Sequence, residues 1–196
     1  MITAVKLNEL DLSFTDATAF SPSTSSSDAT AAFSLPFGFP MNIVAVGQNI
    51  TGGSGGTDFA QLEIPKGPCS TDVNERIVHL QFSDVPFTVL EGQDAAFEQF
   101  LSDTAMSGNT TILLKGSADT DVDTAVGVLN LTGIQFDVQT SIVGLQGLAS
   151  KPTLVTNMDV NHGFSDYLLV KVNASLFNPS NISLSAGDVS FNLAYQ

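Results

Sequence analysis

Short apolar runs separated by Gly, Pro, Ser and Asn recur from one end of the chain to the other, and most alternate apolar with polar residues at every second position. That period marks a half-buried strand, because successive side chains of extended backbone point to opposite faces. In one run Val78, Leu80 and Phe82 share a face while Ile77, His79 and Gln81 share the other; Val189, Phe191 and Leu193 repeat the pattern. Comparable runs near 3–14, 29–36, 41–50, 58–65, 86–91, 110–115, 125–142, 153–160 and 167–177 predict an all-β fold. Two stretches read as loops: the Ser-rich segment from Ser21 to Asp28, and Gly52 to Gly56, whose flexibility argues against pairing.

One segment departs from period two. Phe97, Phe100 and Leu101 fall at i, i+3 and i+4, with Ala96 and Ala105 as good helix formers around them, which predicts one amphipathic helix over residues 94–106. Asp94 is placed to accept an orphan backbone N–H as its cap, and Gly108 to end it in a left-handed turn. Its apolar stripe must rest on something, either as a lid on a sandwich core or as one wall of an apolar groove.

The two ends of the chain look alike. Ala32-Phe33-Ser34-Leu35-Pro36 followed by Met41 to Val46 is echoed by Ser175-Leu176-Phe177-Asn178-Pro179-Ser180 followed by Asn181 to Leu184. Each is a strand, a proline break and a second strand. Residues 1–150 therefore form one domain, while 151–196 either open a second copy in a tandem array or complete the first by pairing back onto its sheet.

Composition narrows the class. With 196 residues and 43% of them hydrophobic, the chain can build a core without staples and is too apolar to be disordered. Its net charge is −14, and its six cations, Lys6, Lys66, Arg76, Lys115, Lys151 and Lys171, are scattered, so no basic patch exists to neutralise phosphates. Nucleic acid is excluded as a partner. No stretch approaches the roughly 18 consecutive apolar residues of a membrane span. Five sequons, at Asn49, Asn109, Asn130, Asn173 and Asn181, point to an extracytoplasmic glycoprotein; Asn178-Pro-Ser is blocked by its proline.

The segment from Asn173 to Leu193 resembles the strand, Asn-Pro, strand hairpin that opens water-stress (late-embryogenesis-abundant type-2) domains. Leu35-Pro-Phe-Gly-Phe-Pro, the Phe97-Glu-Gln-Phe-Leu helix and the Leu145-Gln-Gly-Leu stretch look like a fungal family of unknown function related to those domains. The first hairpin departs from the pattern, with Leu-Pro-Phe in place of Asn-Pro-Ser. The resemblance implies a small β-sandwich with a single helix, set in the lumenal part of a vacuolar membrane protein. It also implies lipid held between helix and sheet, and a link to autophagy.

Other chemistry finds little footing. Gly52-Gly53-Ser54-Gly55-Gly56 matches a nucleophile elbow by letter, but Asp58 to Ile64 alternate as a strand where that motif needs a helix. His79 lies in a strand and His162 beside a turn glycine, each read as a solvent-facing or satisfied histidine. Asp119-Thr120-Asp121-Val122-Asp123 fails as a calcium loop, because Thr124 and Asn130 stand where Gly and Glu are required; it reads as a solvated acidic turn. Cys69, with no cationic neighbour in sequence, reads as an inert or surface thiol.

The expectation is therefore an all-β, antiparallel β-sandwich of the fibronectin/immunoglobulin-like kind with one short helix. It is expected to be non-enzymatic and to need no cofactor. Fourteen Phe with no Trp suggest an interior able to line an acyl chain, and the residues expected to hold lipid are Phe87, Leu90, Phe97, Phe100, Leu101, Ile134 and Phe136. The expected setting is a vacuolar or lysosomal lumen, or the secreted space, with neighbouring repeats of the same protein as further partners. The rival expectation is a structural spacer or protein-interaction module.

Overall fold

A computed structural model describes residues 2–15, 17–34, 41–163, 165 and 168–185. Its strands are β1 (Ile2–Leu7), β2 (Leu10–Ser13), β3 (Ser23–Phe33), β4 (Asn42–Ser54), β5 (Thr57–Pro68), β6 (Ser70–Asp72), β7 (Ile77–Val89), β8 (Asn109–Thr124), β9 (Gly127–Val143), β10 (Leu154–Gly163), β11 (Leu168–Ser175) and β12 (Ile182–Ser185). One α-helix, α1, spans Asp94–Met106. The fold is all-β and sandwich-like, with one short helix. The predicted run at Val189, Phe191 and Leu193, the Leu35-Pro-Phe-Gly-Phe-Pro motif, Phe164 and the side chain of His162 lie outside the described residues.

Two layers share β7. Along Ile77 to Pro86 it pairs antiparallel with β3, whose other edge carries β1 and β2 in succession. At Phe87 to Val89 it pairs instead with β5, and the second layer continues through β4 and β8 to β9. Just before this switch Asp84 takes a positive φ of 55°, and its N–H is held by Ser25 Oγ at 3.0 Å. A bend there lets one strand serve both layers. The outer edges of the two layers, β1 and β9, come within 8 Å without sharing a ladder.

The C-terminal region divides. β12 returns to the first layer and pairs with β2 in parallel, Ile182 opposite Leu10, so Ile182 enters the common core. β10 and β11 instead form their own two-stranded sheet.

Several local expectations are corrected. The segment from Ser21 to Asp28 is mostly strand β3: Ser26 Oγ donates to Glu9 O at 2.6 Å and Ser27 Oγ to the Glu9 carboxylate, so hydroxyls that would favour a loop are spent on the neighbouring chain segment. Gly52 and Gly53 pair on both sides within β4, and only Gly55 and Gly56 turn. Their φ of 59° and 87° give a two-residue hairpin with both central residues positive. Residues 119–123 are strand, with Thr120 and Val122 facing inward and Asp119 and Asp123 outward. The helix keeps its predicted bounds but not its predicted ends. Asp94 sits in the first turn, where it suits the dipole, and Gln93 is the cap residue without a side-chain bond. Ser107 ends the helix in extended conformation (φ −92°, ψ 160°), leading straight into β8.

Candidate functional site

The space between the layers is not filled. Two cavities lie there, one of about 60 Å³ toward α1 and one of about 200 Å³ toward the far end. The smaller is walled by Val5, Leu10, Leu12 and Ala29 from the first layer and by Ile50, Ala60, Leu62, Ile112 and Leu114 from the second, with Phe87 and Phe100 at the helix end and Ile182 from β12. The larger is walled by Ala31, Phe33 and Val78 against Ile43, Val46, Ala118 and Ile134, with Ile2, Met41 and Leu131 around it. Gln48 and Leu80 line both, so they stand between the two cavities at the middle of the sandwich. An apolar protein cavity of about 150 Å³ stays dry and accepts benzene, so the larger one is sized for a short hydrocarbon segment.

Small residues leave this room. Ala29 and Ala31 on β3 and Ala60 and Ala118 on β5 and β8 are all buried inward positions where a branched side chain would otherwise fill the layer. No ionisable side chain lines either cavity. The polar exceptions are Thr24, Gln48, Gln61 and Thr120, of which Gln61 is exposed. The hydroxyls of Thr24 and Thr120 are buried without a partner among the described residues.

The helix end is packed differently. Phe97 is nearly fully buried among Phe20, Phe59 and Phe87, with ring centroids at 6.4, 6.1 and 5.7 Å. Phe100 lies 4.9 Å from Phe59. The buried helix positions are Phe97, Phe100 and Thr104, an i, i+3, i+7 stripe, whereas Leu101 is only half-buried. The chain after β9 closes the other flank: Leu145 N–H donates to Thr104 O, and Gly144 fits beneath Ser107, where a Cβ would overlap the Ser107 carbonyl oxygen.

Of the residues expected to hold lipid, Phe87 and Phe100 line the smaller cavity and Ile134 the larger. Phe97 and Phe136 are buried in the core, and Leu90 and Leu101 are half-buried; none of these four lines either cavity. The open room thus lies between the two sheets, with α1 as its end wall. Sequence reasoning missed Phe59, Gln48, Leu80 and the alanines. Phe59 is the extra residue of a bulge opposite Gly52 and Gly53, so it and Ala60 both face inward against period two.

Surface groups add little chemistry. The Lys66 ammonium, 2.5 Å from Asp121, together with Asn130, holds the Asp121 carboxyl below the usual range. Burial pushes the Cys69 thiol up, away from the reactive thiolate. His79 is exposed on β7. Asn49, Asn109, Asn130 and Asn173 are exposed, with Asn130 bonded to Asp121; the Asn181 amide is instead tied to backbone, donating to Leu7 O and accepting from Val143 N at 2.9 Å. A glycan on Asn181 would have to break that tie. The helix is too short to cross a membrane, and no helix among the described residues is long and apolar enough to do so.

A family model described as Protein of unknown function (DUF3712) matches residues 57–193, more than half of the chain. No curated protein and no solved structure matches it.

Proposed function

The chain belongs to the DUF3712 family of proteins of unknown function, and we propose that it is a non-enzymatic module that binds or transfers lipid, taking an apolar chain between its two sheets. The observation that carries this reading is the pair of apolar cavities on either side of Gln48 and Leu80. An interior packed to ordinary density leaves few voids larger than a water molecule, and each unfilled one forfeits stability that a ligand restores. Burying each methylene of a lipid chain contributes about 0.8 kcal/mol, so a chain segment in the larger cavity offsets that loss. The resemblance to late-embryogenesis-abundant type-2 domains, and the exposed sequon asparagines Asn49, Asn109, Asn130 and Asn173, support placing the module in a vacuolar lumen or the secreted space.

Native mass spectrometry of the purified chain, followed by titration with labelled fatty acid or fatty alcohol, tests the reading. Co-purified or added lipid should bind one to one. Val46→Phe, which projects a ring into the larger cavity, should abolish uptake at a stability change within about 1–3 kcal/mol. A clean apo mass with no uptake would remove the proposal.

A second reading, a spacer or interaction module, has its own support. In the β10–β11 sheet Met158 stands opposite Val172 and Val160 opposite Val170, all four exposed, while Asp159 stands opposite Lys171 on the other face. A two-stranded sheet is marginal alone, and one apolar face suits a neighbouring domain. Replacing Met158 and Val172 by Ser should leave lipid uptake unchanged under the first reading; under the second it should abolish self-association or partner capture measured by light scattering.

A further inference from the structure

Gln48 is an unexpected residue for its position. It sits on the inward face of the central strand β4, between Val46 and Ile50, is only 7% exposed, and lines both cavities. Among the described residues its carboxamide makes no side-chain hydrogen bond, and its oxygen and nitrogen are not among the fully covered polar atoms. The amide is therefore open to a water-sized group and free to bind one, where a leucine or methionine would offer the cavities only apolar surface. Thr24 and Thr120 also line the smaller and the larger cavity respectively, but their unpartnered hydroxyls are fully covered and do not open onto either space. An otherwise apolar interior therefore carries the carboxamide of Gln48 between its two cavities.

We infer that the ligand is an uncharged amphiphile carrying a hydroxyl, and that the hydroxyl is held by Gln48 between the two cavities. This rests on the apolar-cavity reading above and names the ligand's chemistry. A carboxylate or phosphate is disfavoured, because no cation lines either cavity to compensate a buried charge. A plain hydrocarbon would leave the amide unpaired. A hydroxyl both donates and accepts, so it satisfies the carboxamide oxygen and nitrogen in whichever orientation the amide adopts.

The test compares 1-octanol with n-octane, and octanoate as the charged control, by titration followed through the methyl NMR signals of Ile43, Val46 and Ile112, which border the cavities. The wild-type chain should bind octanol roughly tenfold more tightly than octane, about 1.4 kcal/mol, and octanoate more weakly than octanol. Gln48→Met, close in shape but without the amide, should weaken octanol roughly tenfold and leave octane within about threefold. Equal affinity for octanol and octane in the wild-type chain, tightest binding of octanoate, or an undiminished octanol preference in Gln48→Met would each overturn the Gln48 assignment while leaving the apolar cavity standing. Failure of both neutral probes to shift any cavity methyl would overturn the cavity reading and this inference with it.

Discussion

The rings of Phe59 and Phe100 lie 4.9 Å apart, centroid to centroid, with their planes inclined by 31°. Phe59 comes from a bulge in β5 and Phe100 from the single helix, so this contact fixes how the helix seats on the second layer and sets the end wall of the smaller cavity. Two residues distant in sequence thus decide both stability and the room left for a ligand.

Removing rings here should separate those two effects. Phe97→Ala, deep in the cluster, should destabilise by about 3–5 kcal/mol in chemical denaturation, and a double-mutant cycle between Phe59 and Phe100 should give a coupling of about 0.5–1.5 kcal/mol. Phe100→Ala should also extend the smaller cavity, which larger apolar probes would report by tighter uptake. Additive costs in the cycle would show that the two rings do not act as a pair.

Gly116 on β8 lies against the β4 backbone, where a Cβ would overlap the carbonyl oxygen of Asn49. Neither partner is a movable side-chain tip. Gly116→Ala should therefore force the strands apart and cost about 1–3 kcal/mol or more in thermal melting. Gly127→Ala, at an open hairpin tip with φ 122°, supplies a contrast in which strain without collision should cost less.

Asn181 ties the free edges of the two layers through Leu7 O and Val143 N. Asn181→Leu would leave both backbone groups without that partner, at a cost of about 1–3 kcal/mol. Hydrogen exchange should rise at Val143 and along β1 while β4 and β8 stay protected. Unchanged exchange at Val143 would show that the tie does not hold the edges.

Acid should weaken the β5–β8 face in a defined way. Because the Asp121 carboxyl is held below its ordinary value by Lys66, its contribution is fully present above the unfolded value of about 3.9 and is lost as the pH falls through the lower native value. Lys66→Met should flatten that part of the melting-temperature profile below about pH 4 and change little at neutral pH. The exposed setting keeps the effect small and sensitive to salt.

Much of the architecture is legible in the residues, and the gaps have physical causes. Period-two alternation locates β7 and the long β8–β9 hairpin, and the Phe97–Phe100 spacing finds α1 within its bounds. Serine and glycine mislead at β3 and at the end of β4, because their tertiary partners, Glu9 and the flanking strands, override local loop preference. The candidate site is harder to see. Aromatic residues suggest an apolar lining, yet the room itself is made by alanines, which carry no signal of emptiness until the facing sheet is placed. Gln48 shares the inward face of β4 with Val46 and Ile50 by period two alone, yet as a polar residue it reads as part of an ordinary strand until the facing layer closes over it.

The parallel pairing of β12 with β2 places Ile182 beside Leu10, joining two segments at opposite ends of the described fold. During synthesis the first layer must therefore wait with its outer edge bare until all the other strands have emerged from the ribosome. Contacts so remote in sequence form slowly. A nascent chain halted after β9 would hold most of its strands but lack the one that shields β2, which makes that stage the point at which a chaperone, or another nascent copy, would find an edge to bind.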